Sequence, residues 1–145
     1  MGKLLGIVTR ERSRAPMKQH SSIEITVDRG LRDDFRGASR GRNVTVLGRE
    51  GWEVACADLG RELPWTTRRA NLLVEGVDLI QSTGARLRIG EVVLEITEEC
   101  EPCPRMDEQS DGLRAALGPD WRAGVSCRVL TPGQVRIGDA AVLER

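Results

Sequence analysis

The sequence predicts a mainly β fold, a closed or half-closed β-barrel with a few short helices. Short extended segments, many of which alternate apolar and polar residues, recur at regular intervals along the 145 residues. Only two segments show the apolar spacing of a helix. A succession of strands with so few helices argues against a doubly wound α/β fold.

The strands are predicted from period-two alternation or from β-branched residues. They span residues 3–9, 22–27, 43–47, 85–89, 92–97, 125–129, 134–137 and 140–143, and a further apolar strand is expected after Asn71. Gly90-Glu91 separates two of these segments, which predicts a β-hairpin. Gly138-Asp139 separates the last two in the same way, so we expect a second, similar hairpin there.

Two helices are predicted, over residues 49–60 and 111–117. Apolar residues share one face of the first helix, and Gly60 stands where a helix typically ends. Gly118-Pro119 stops the second. Arginines collect in three tracts outside the regular elements, residues 30–42, 63–71 and 119–124. Polar loops on a β scaffold are where a ligand site is expected.

The composition limits the class of protein. With 39% hydrophobic and 30% charged residues, the chain is predicted to form one domain, residues 1–145, with a core of its own. Its 22 basic and 22 acidic residues balance, which gives no general affinity for nucleic acid. No stretch approaches the ~20 apolar residues of a membrane span, and residues 1–8 lack the features of a signal peptide. The four cysteines therefore predict reduced thiols and a cytoplasmic location.

Cys103 is the candidate that carries most chemistry. It follows the alternating strand at residues 92–97, and Pro102 and Pro104 stop that strand from continuing. The thiol is thus expected on a stiff loop at the end of a sheet element. A thiolate there can bind molybdenum or copper, coordinate zinc, or carry sulfur as a persulfide. The structural alternative is a buried cysteine in the core.

The other cysteines are predicted to be structural. Cys100 forms a Cys-x-x-Cys motif with Cys103, but thioredoxin-like use needs that motif at a helix start in a βαβ unit. A structural zinc site needs a second pair, and Cys56 and Cys127 are isolated. We expect both in the core. Cys100 is expected to pack, with assistance to persulfide exchange as the alternative.

Eight short segments follow one another in the order and spacing of a known family. They are residues 6–8, 30–37, 42–47, 69–79, 87–90, 102–103, 121–125 and 134–139. In this arrangement the chain resembles the MOSC family, the domain named for the C-terminus of molybdenum-cofactor sulfurases. The resemblance implies a β-barrel of the small, stand-alone bacterial type. Sulfurases carry this domain behind a pyridoxal-phosphate desulfurase domain, and no pyridoxal phosphate is expected in this chain.

The resemblance also implies a role for Cys103. In the related amidoxime-reducing enzymes, a cysteine at this position binds the molybdenum of the pterin cofactor. Cys103 is accordingly expected to be the metal ligand and the catalytic residue, or else to carry sulfur. A thiolate is the soft anionic donor that molybdenum, held by a dithiolene, still needs.

A pterin cofactor carries phosphate, so its site needs fixed cations. Arg69 and Arg122 are the preferred candidates because they lie in matched segments, and Arg36 and Arg42 in the glycine-rich loop are weaker ones. Asn71 suits either a pterin edge or a buried turn.

Two positions depart from the family pattern. Asp33 stands where glycine is more frequent, and Ala123 replaces the first glycine after Arg122. A side chain at either position costs free energy wherever the backbone has a positive φ.

Two hypotheses of function follow from the resemblance. In the first, the chain binds the molybdenum cofactor and reduces N-hydroxylated small molecules with electrons from a separate protein. In the alternative, it is a sulfur carrier that holds a persulfide on Cys103 for metallocofactor sulfuration. The first makes the protein an oxidoreductase and the second does not. Both imply a protein partner that donates electrons or sulfur, and neither involves nucleic acid or a membrane.

Overall fold

The computed structural model describes residues 2–12, 14–35, 37 and 42–145. The strands of this part of the chain are β1 (Gly2–Thr9), β2 (Lys18–Gln19), β3 (Ser22–Thr26), β4 (Gly30–Leu31), β5 (Val44–Gly48), β6 (Leu72–Glu75), β7 (Arg86–Ile89), β8 (Val92–Glu99), β9 (Val125–Thr131), β10 (Gly133–Arg136) and β11 (Ala140–Glu144). The helices are α1 (Arg49–Leu59), α2 (Arg105–Gln109) and α3 (Leu113–Leu117), with 3-10 turns at Trp65–Arg68 and Pro119–Trp121. The predicted mainly β class is confirmed.

Seven of the described strands close into a barrel, in the order β11-β7-β8-β9-β5-β6-β1. The barrel closes because β1 also pairs with β11, at Gly2↔Ala141 and Lys3↔Ala140. Every pairing among these strands is antiparallel except that of β5 with β6, whose register includes Val46↔Leu72. The sequence left a closed and a half-closed barrel open, and the structure has the closed one.

A second, three-stranded sheet has the order β10-β3-β4. It corrects one prediction. The hairpin at Gly90-Glu91 is present, with Ile89 opposite Val92, but β10 and β11 do not pair with each other. Instead, the turn between them bonds to Leu4 of β1: Gly138 N–H donates to the Leu4 carbonyl at 2.8 Å, and Leu4 N–H donates to the Asp139 carbonyl at 2.9 Å. β11 then continues as a strand of the barrel. Alternation marks each segment as a strand but does not specify its partner.

Alternation along β5 and β6 divides the core in two. Val46 and Leu72 point into the barrel, whereas Leu47 and Leu73 point outward and pack under the helices. The outer cluster includes Trp52 of α1, whose indole Nε1 donates to the carbonyl of Leu63 at 3.1 Å. β5 and β6 thus bury both of their faces, one in the barrel and one under the helices. This packing fixes the position of both strands relative to the helices.

The first predicted helix is confirmed almost to the residue, with Gly60 as its left-handed C-cap at φ 68°. The second exists but begins at Leu113, two residues later than predicted. The sequence prediction missed α2, which has only five residues and starts directly after Pro104. Along the described ranges, every helix falls short of the length and apolar character that a membrane crossing requires.

Candidate functional site

A cavity of about 740 Å³ opens where β5 and β6 begin. Its wall includes Thr45 at the start of β5, Asn71 directly before β6 and Ser126 at the start of β9. Glu98 and Glu99 at the end of β8 lie beside them. We call it the thiol cavity, since Cys100 and Cys103 line it together with arginines from several loops.

Cys103 lies on the loop that joins β8 to α2, and its side chain is exposed. The loop is anchored at both ends. The backbone N–H of Cys100 donates to the carbonyl of Gly124 at 2.9 Å, and the carbonyl of Cys103 accepts from Met106 N–H at 3.0 Å. The structure therefore excludes the buried structural role for Cys103 and leaves its thiol open to a ligand.

The other three thiols are less accessible. Cys56 and Cys127 are buried, as predicted, and burial raises the pKa of the Cys127 thiol far above its usual value. Cys100 is half-buried, with its Sγ 3.2 Å from the Oγ of Ser126. Among the described residues, no three His, Cys, Asp or Glu side chains come together as a metal site made by the protein alone.

The cavity carries nearly balanced charge. Six arginines line it, Arg10, Arg14, Arg42, Arg68, Arg69 and Arg105, against five carboxylates, Asp34, Glu98, Glu99, Glu101 and Glu108. Arg42 and Arg14 are paired directly with carboxylates. Arg42 donates to Glu98 at 2.5 Å, and this contact raises the pKa of Arg42, while Arg14 contacts Glu108 at 3.3 Å. The individual partners therefore decide which cations can receive an anion.

Arg69 differs from its neighbours because its surroundings oppose its charge. Burial and, second, the nearby cation of Arg105 lower the pKa of Arg69. Its Nη2 donates to the carbonyl of Ala15, which is neutral. Two cations held close together in a cavity favour a bound anion between them, since the anion relieves their repulsion. Arg69 and Arg105 are called the cation pair below.

Asn71 is only 7% exposed, and its side chain is bonded within the protein. Its Oδ1 accepts from the N–H and the hydroxyl of Thr45, at 3.0 and 3.1 Å, and its Nδ2 donates to the carbonyl of Val8 at 3.3 Å. These bonds join β1, β5 and the start of β6. Of the two uses expected for Asn71, they correspond to the buried turn, at the wall of the cavity.

The remaining sequence candidates are divided by the fold. Arg42 lines the thiol cavity. Arg122 does not: its Nη1 contacts Asp58 of α1 at 2.7 Å and the carbonyl of Ala116 at 3.0 Å, and it lines a different cavity. Arg36 lies outside the described residues.

The two departures from the family pattern have different consequences. Asp33 has φ 63°, so a side chain does stand in the left-handed region there. Ala123 is buried without a positive φ, and Gly124 takes the left-handed conformation at φ 90°. A Cβ at Gly124 would lie 2.2 Å from the carbonyl oxygen of Val46, so only glycine fits there.

Sequence reasoning missed Arg10, Arg14 and Arg105 as cavity residues. For Arg105 a signal existed, because it lies only two residues after Cys103, at the start of α2. Arg10 directly follows β1, and Arg14 lies further along that connection. Nothing in the local pattern of residues 10–14 indicates that this connection reaches the loop after β8.

Comparisons with known proteins give consistent findings. The family model of the MOSC domain matches residues 30–142. The YuaD protein from Bacillus subtilis shares 18% identity and a TM-score of 0.84, with 100% of this chain and 97% of that chain covered. YiiM from Geobacillus stearothermophilus (14% identity, TM-score 0.75, coverage 100% and 76%) and YiiM from Escherichia coli (15%, 0.74, 99% and 70%) are also similar. At these identities the likeness shows the fold alone. No protein of curated function matches significantly in sequence.

Proposed function

Because the chain belongs to the MOSC domain family, we propose that it binds a molybdenum cofactor in the thiol cavity, with Cys103 as a metal ligand. The observation that carries the proposal is the joint placement of an exposed thiol and the cation pair in one cavity. A volume of about 740 Å³ lies within the range of small-molecule and cofactor sites.

The residues present fit such a cofactor. The thiolate of Cys103 is a soft anionic donor, which suits molybdenum. The described residues group no set of three protein ligands, so a metal here needs a cofactor that brings further donors, as a pterin dithiolene does. Arg69 and Arg105 are placed to hold a phosphate, and arginine's planar fork matches phosphate oxygens. Arg42 is a weaker candidate because Glu98 already neutralises it.

We further propose that the bound cofactor supplies two-electron reduction of N-hydroxylated small molecules. Conversion of an N–OH group to N–H consumes two electrons and two protons and releases water. The electrons come from a separate flavoprotein or iron–sulfur protein. The carboxyl groups of Glu98, Glu99 and Glu101 line the cavity and can hold the protons, or bind a protonated nitrogen of the substrate.

The alternative function, sulfur transfer, is favoured by the exposure of Cys103 on its loop. There the thiolate of Cys103 attacks the outer sulfur of a persulfide on a donor protein. An S–S bond forms at Cys103, and the donor leaves as its thiolate. All four cysteines are free, which fits the reducing, cytoplasmic location that we propose for either function.

The test is the molybdenum content, measured by elemental mass spectrometry, of protein from a host that makes the cofactor. The native chain, Cys103→Ser and the matched control Cys100→Ser are prepared in parallel. We expect near-stoichiometric molybdenum in the native chain and in Cys100→Ser, and its loss from Cys103→Ser. Folded native protein without molybdenum contradicts the cofactor proposal, and a persulfide found on Cys103 by mass spectrometry then supports the carrier. Full metal in Cys103→Ser contradicts the role given to that thiol.

A further inference from the structure

A second cavity, of about 400 Å³, opens at the opposite ends of β5 and β6. Gly48 ends β5 and Gly76 follows β6, and both line it. About 10 Å of β5 separates Gly48 from Thr45 on the wall of the thiol cavity. Trp121 forms one side of this second space, which we call the Trp121 cavity. Cys103, Arg69 and Arg105 do not line it; of the residues that the sequence analysis expected at the cofactor, Arg122 does.

The walls of the Trp121 cavity are mainly apolar. They are formed by Trp121 and by three aliphatic side chains of the loop after β6, Val77, Leu79 and Ile80. Leu79 is buried at 6% exposure, whereas Ile80 is 45% exposed. An indole and aliphatic side chains that line one concave space of this volume are typical of a site for a flat apolar molecule.

The charge at the rim is acidic. Glu50, Asp78 and Asp120 line the cavity, and two of these carboxylates are fixed by backbone donors. Glu50 accepts from Gly76 N–H at 2.9 Å and Asp78 from Ile80 N–H at 3.1 Å. The cation in the lining, Arg122, is held by Asp58 at 2.7 Å, which neutralises it. Outside the lining, the guanidinium of Arg145 donates to the backbone carbonyls of Asp78 and Ile80, at 3.2 and 3.1 Å. Among the side chains that line the cavity itself, three carboxylates stand against one paired arginine, which favours a bound cation.

The backbone at the cavity is held in a costly conformation. Asp120 and Trp121 are consecutive non-glycine residues with φ of 53° and 59°. The other described non-glycine residues with positive φ are near a cavity too. Arg14 and Arg69 line the thiol cavity, Asp33 precedes Asp34 of its lining, and Gln81 follows Ile80. Such strain persists where the surroundings enforce it and clusters at ligand sites.

We propose that the Trp121 cavity is a binding site for a flat aromatic cation of the aryl amidine type, whose amidinium group is charged at neutral pH. The ring lies against Trp121 and the aliphatic wall, and the charged nitrogen faces Asp78, Asp120 and Glu50. Aromatic contact and cation attraction together give the site its selectivity. The inference is independent of the molybdenum proposal, because it uses no residue of the thiol cavity.

The test is a titration of the native chain with benzamidine, followed by two-dimensional NMR. Benzamide is the matched probe, since it has the same ring and shape but no charge. We expect saturable shifts at Val77, Ile80 and the Trp121 indole, and unchanged signals at Cys103. Benzamide is expected to bind about 3- to 30-fold more weakly, the range for a lost cation interaction with a ring or carboxylate.

Two variants make the result specific. Asp120→Asn removes one charge and keeps a residue type that tolerates the left-handed region. It should therefore reduce the difference in affinity between benzamidine and benzamide. Val54→Thr, on the exposed face of α1, should leave both affinities unchanged. Equal binding of the two probes overturns the cation site, and shifts confined to the thiol cavity overturn its location. Absence of saturation at millimolar benzamidine overturns the site itself. None of these outcomes depends on a variant with an altered core.

Discussion

The two ends of the parallel pair β5 and β6 carry opposite chemistry. Where the strands begin, a cavity of about 740 Å³ combines an exposed thiol with arginines. Where they end, a cavity of about 400 Å³ combines an indole and aliphatic side chains with an acidic rim. On our proposals, one end of the barrel binds a molybdenum cofactor and the other end an aromatic cation.

The difference in chemistry comes mainly from residues outside the strands. Inside the barrel both ends share one apolar core, in which residues such as Leu94 and Val46 are fully buried. Outside it, Arg69 and Trp121 both occupy the left-handed backbone region at their respective cavities. The shared core supplies rigidity, and the residues on the loops and helices around it give each end its own chemistry; at both ends some of these residues have a positive φ.

The largest expected effect comes from a substitution in the barrel core, because that core supports both cavities. Leu94→Ala deletes a fully buried side chain and should lower the free energy of unfolding by about 3–5 kcal/mol. Ile137→Ala, at a 44% exposed position, is the matched control and should change it by less than about 0.5 kcal/mol. Urea denaturation measures both. A small loss for Leu94→Ala would mean that the barrel core is not the common support.

Arg69→Gln should affect the thiol cavity alone. Removal of one charged donor to a bound phosphate is expected to weaken binding of inorganic phosphate about 10- to 100-fold. Benzamidine binding at the other end should not change. Isothermal titration of native protein, Arg69→Gln and the exposed barrel-side control Arg128→Gln measures this. Equal phosphate affinity in all three contradicts the assignment of the cation pair.

Arg122→Gln decides between the sequence expectation and the position of this residue in the fold. The matched family segment predicts that Arg122 holds the cofactor phosphate. Its contacts with Asp58 and Ala116 instead predict that phosphate affinity stays within twofold of native, about 0.4 kcal/mol. The same titration measures it. A loss as large as that of Arg69→Gln would support the sequence expectation and require Arg122 to move on binding.

The thiols provide a comparison that depends on pH. Burial raises the pKa of Cys127 in the folded chain, so above an unfolded-state pKa of about 8.5 the unfolded chain releases a proton that the folded chain keeps. Stability contributed by the neutral thiol is therefore complete below that pH and lost as pH rises, by about 1.4 kcal/mol per pH unit. Urea denaturation between pH 8 and 10 measures this slope. Cys127→Ala should reduce this slope, and an unchanged slope in Cys127→Ala contradicts the burial argument.

The smallest expected effect concerns strain at the Trp121 cavity. Asp120→Gly places the residue that prefers positive φ at a position with φ 53°, and should raise the free energy of unfolding by about 1 kcal/mol. It should at the same time weaken benzamidine binding, because a rim charge is lost. Thermal unfolding and titration of one protein sample test both. A variant that is less stable than the native chain contradicts the strain argument.

Particular residues show how far the sequence predicts this molecule. Period-two alternation, β-branched residues and an apolar run after Asn71 found the main barrel strands, and Gly60 marked the end of α1, because these signals are local. The prolines around Cys103 placed its thiol on a loop after β8 for the same reason. Partners of β10 and β11 could not be predicted, since their pairing depends on backbone contacts with Leu4, distant in the chain.

The site was predictable only in part. Cys103, Arg69, Asn71 and Arg42 are brought to one cavity, and each lies in a segment that the sequence analysis marked. Arg122 does not reach that cavity, although the two residues after it contact cavity residues. The carbonyl of Ala123 accepts from Arg68, and the carbonyl of Gly124 accepts from the N–H of Cys100. Adjacent residues face different ends of the strands here, and Asp58 and the carbonyl of Ala116 hold the Arg122 side chain at its end. No sequence pattern indicates two consecutive left-handed residues in an Asp-Trp pair.

X-ray absorption at the molybdenum edge tests the central claim most directly, that the end of β5 and β6 with the thiol is a metal site. It is measured on the metal-loaded native chain and on Cys100→Ser. In both samples we expect molybdenum to have one sulfur ligand from the protein in addition to the sulfur ligands of the cofactor. Any molybdenum that Cys103→Ser retains should lack this protein ligand. Molybdenum whose sulfur ligands all come from the cofactor, in the native chain, would contradict it.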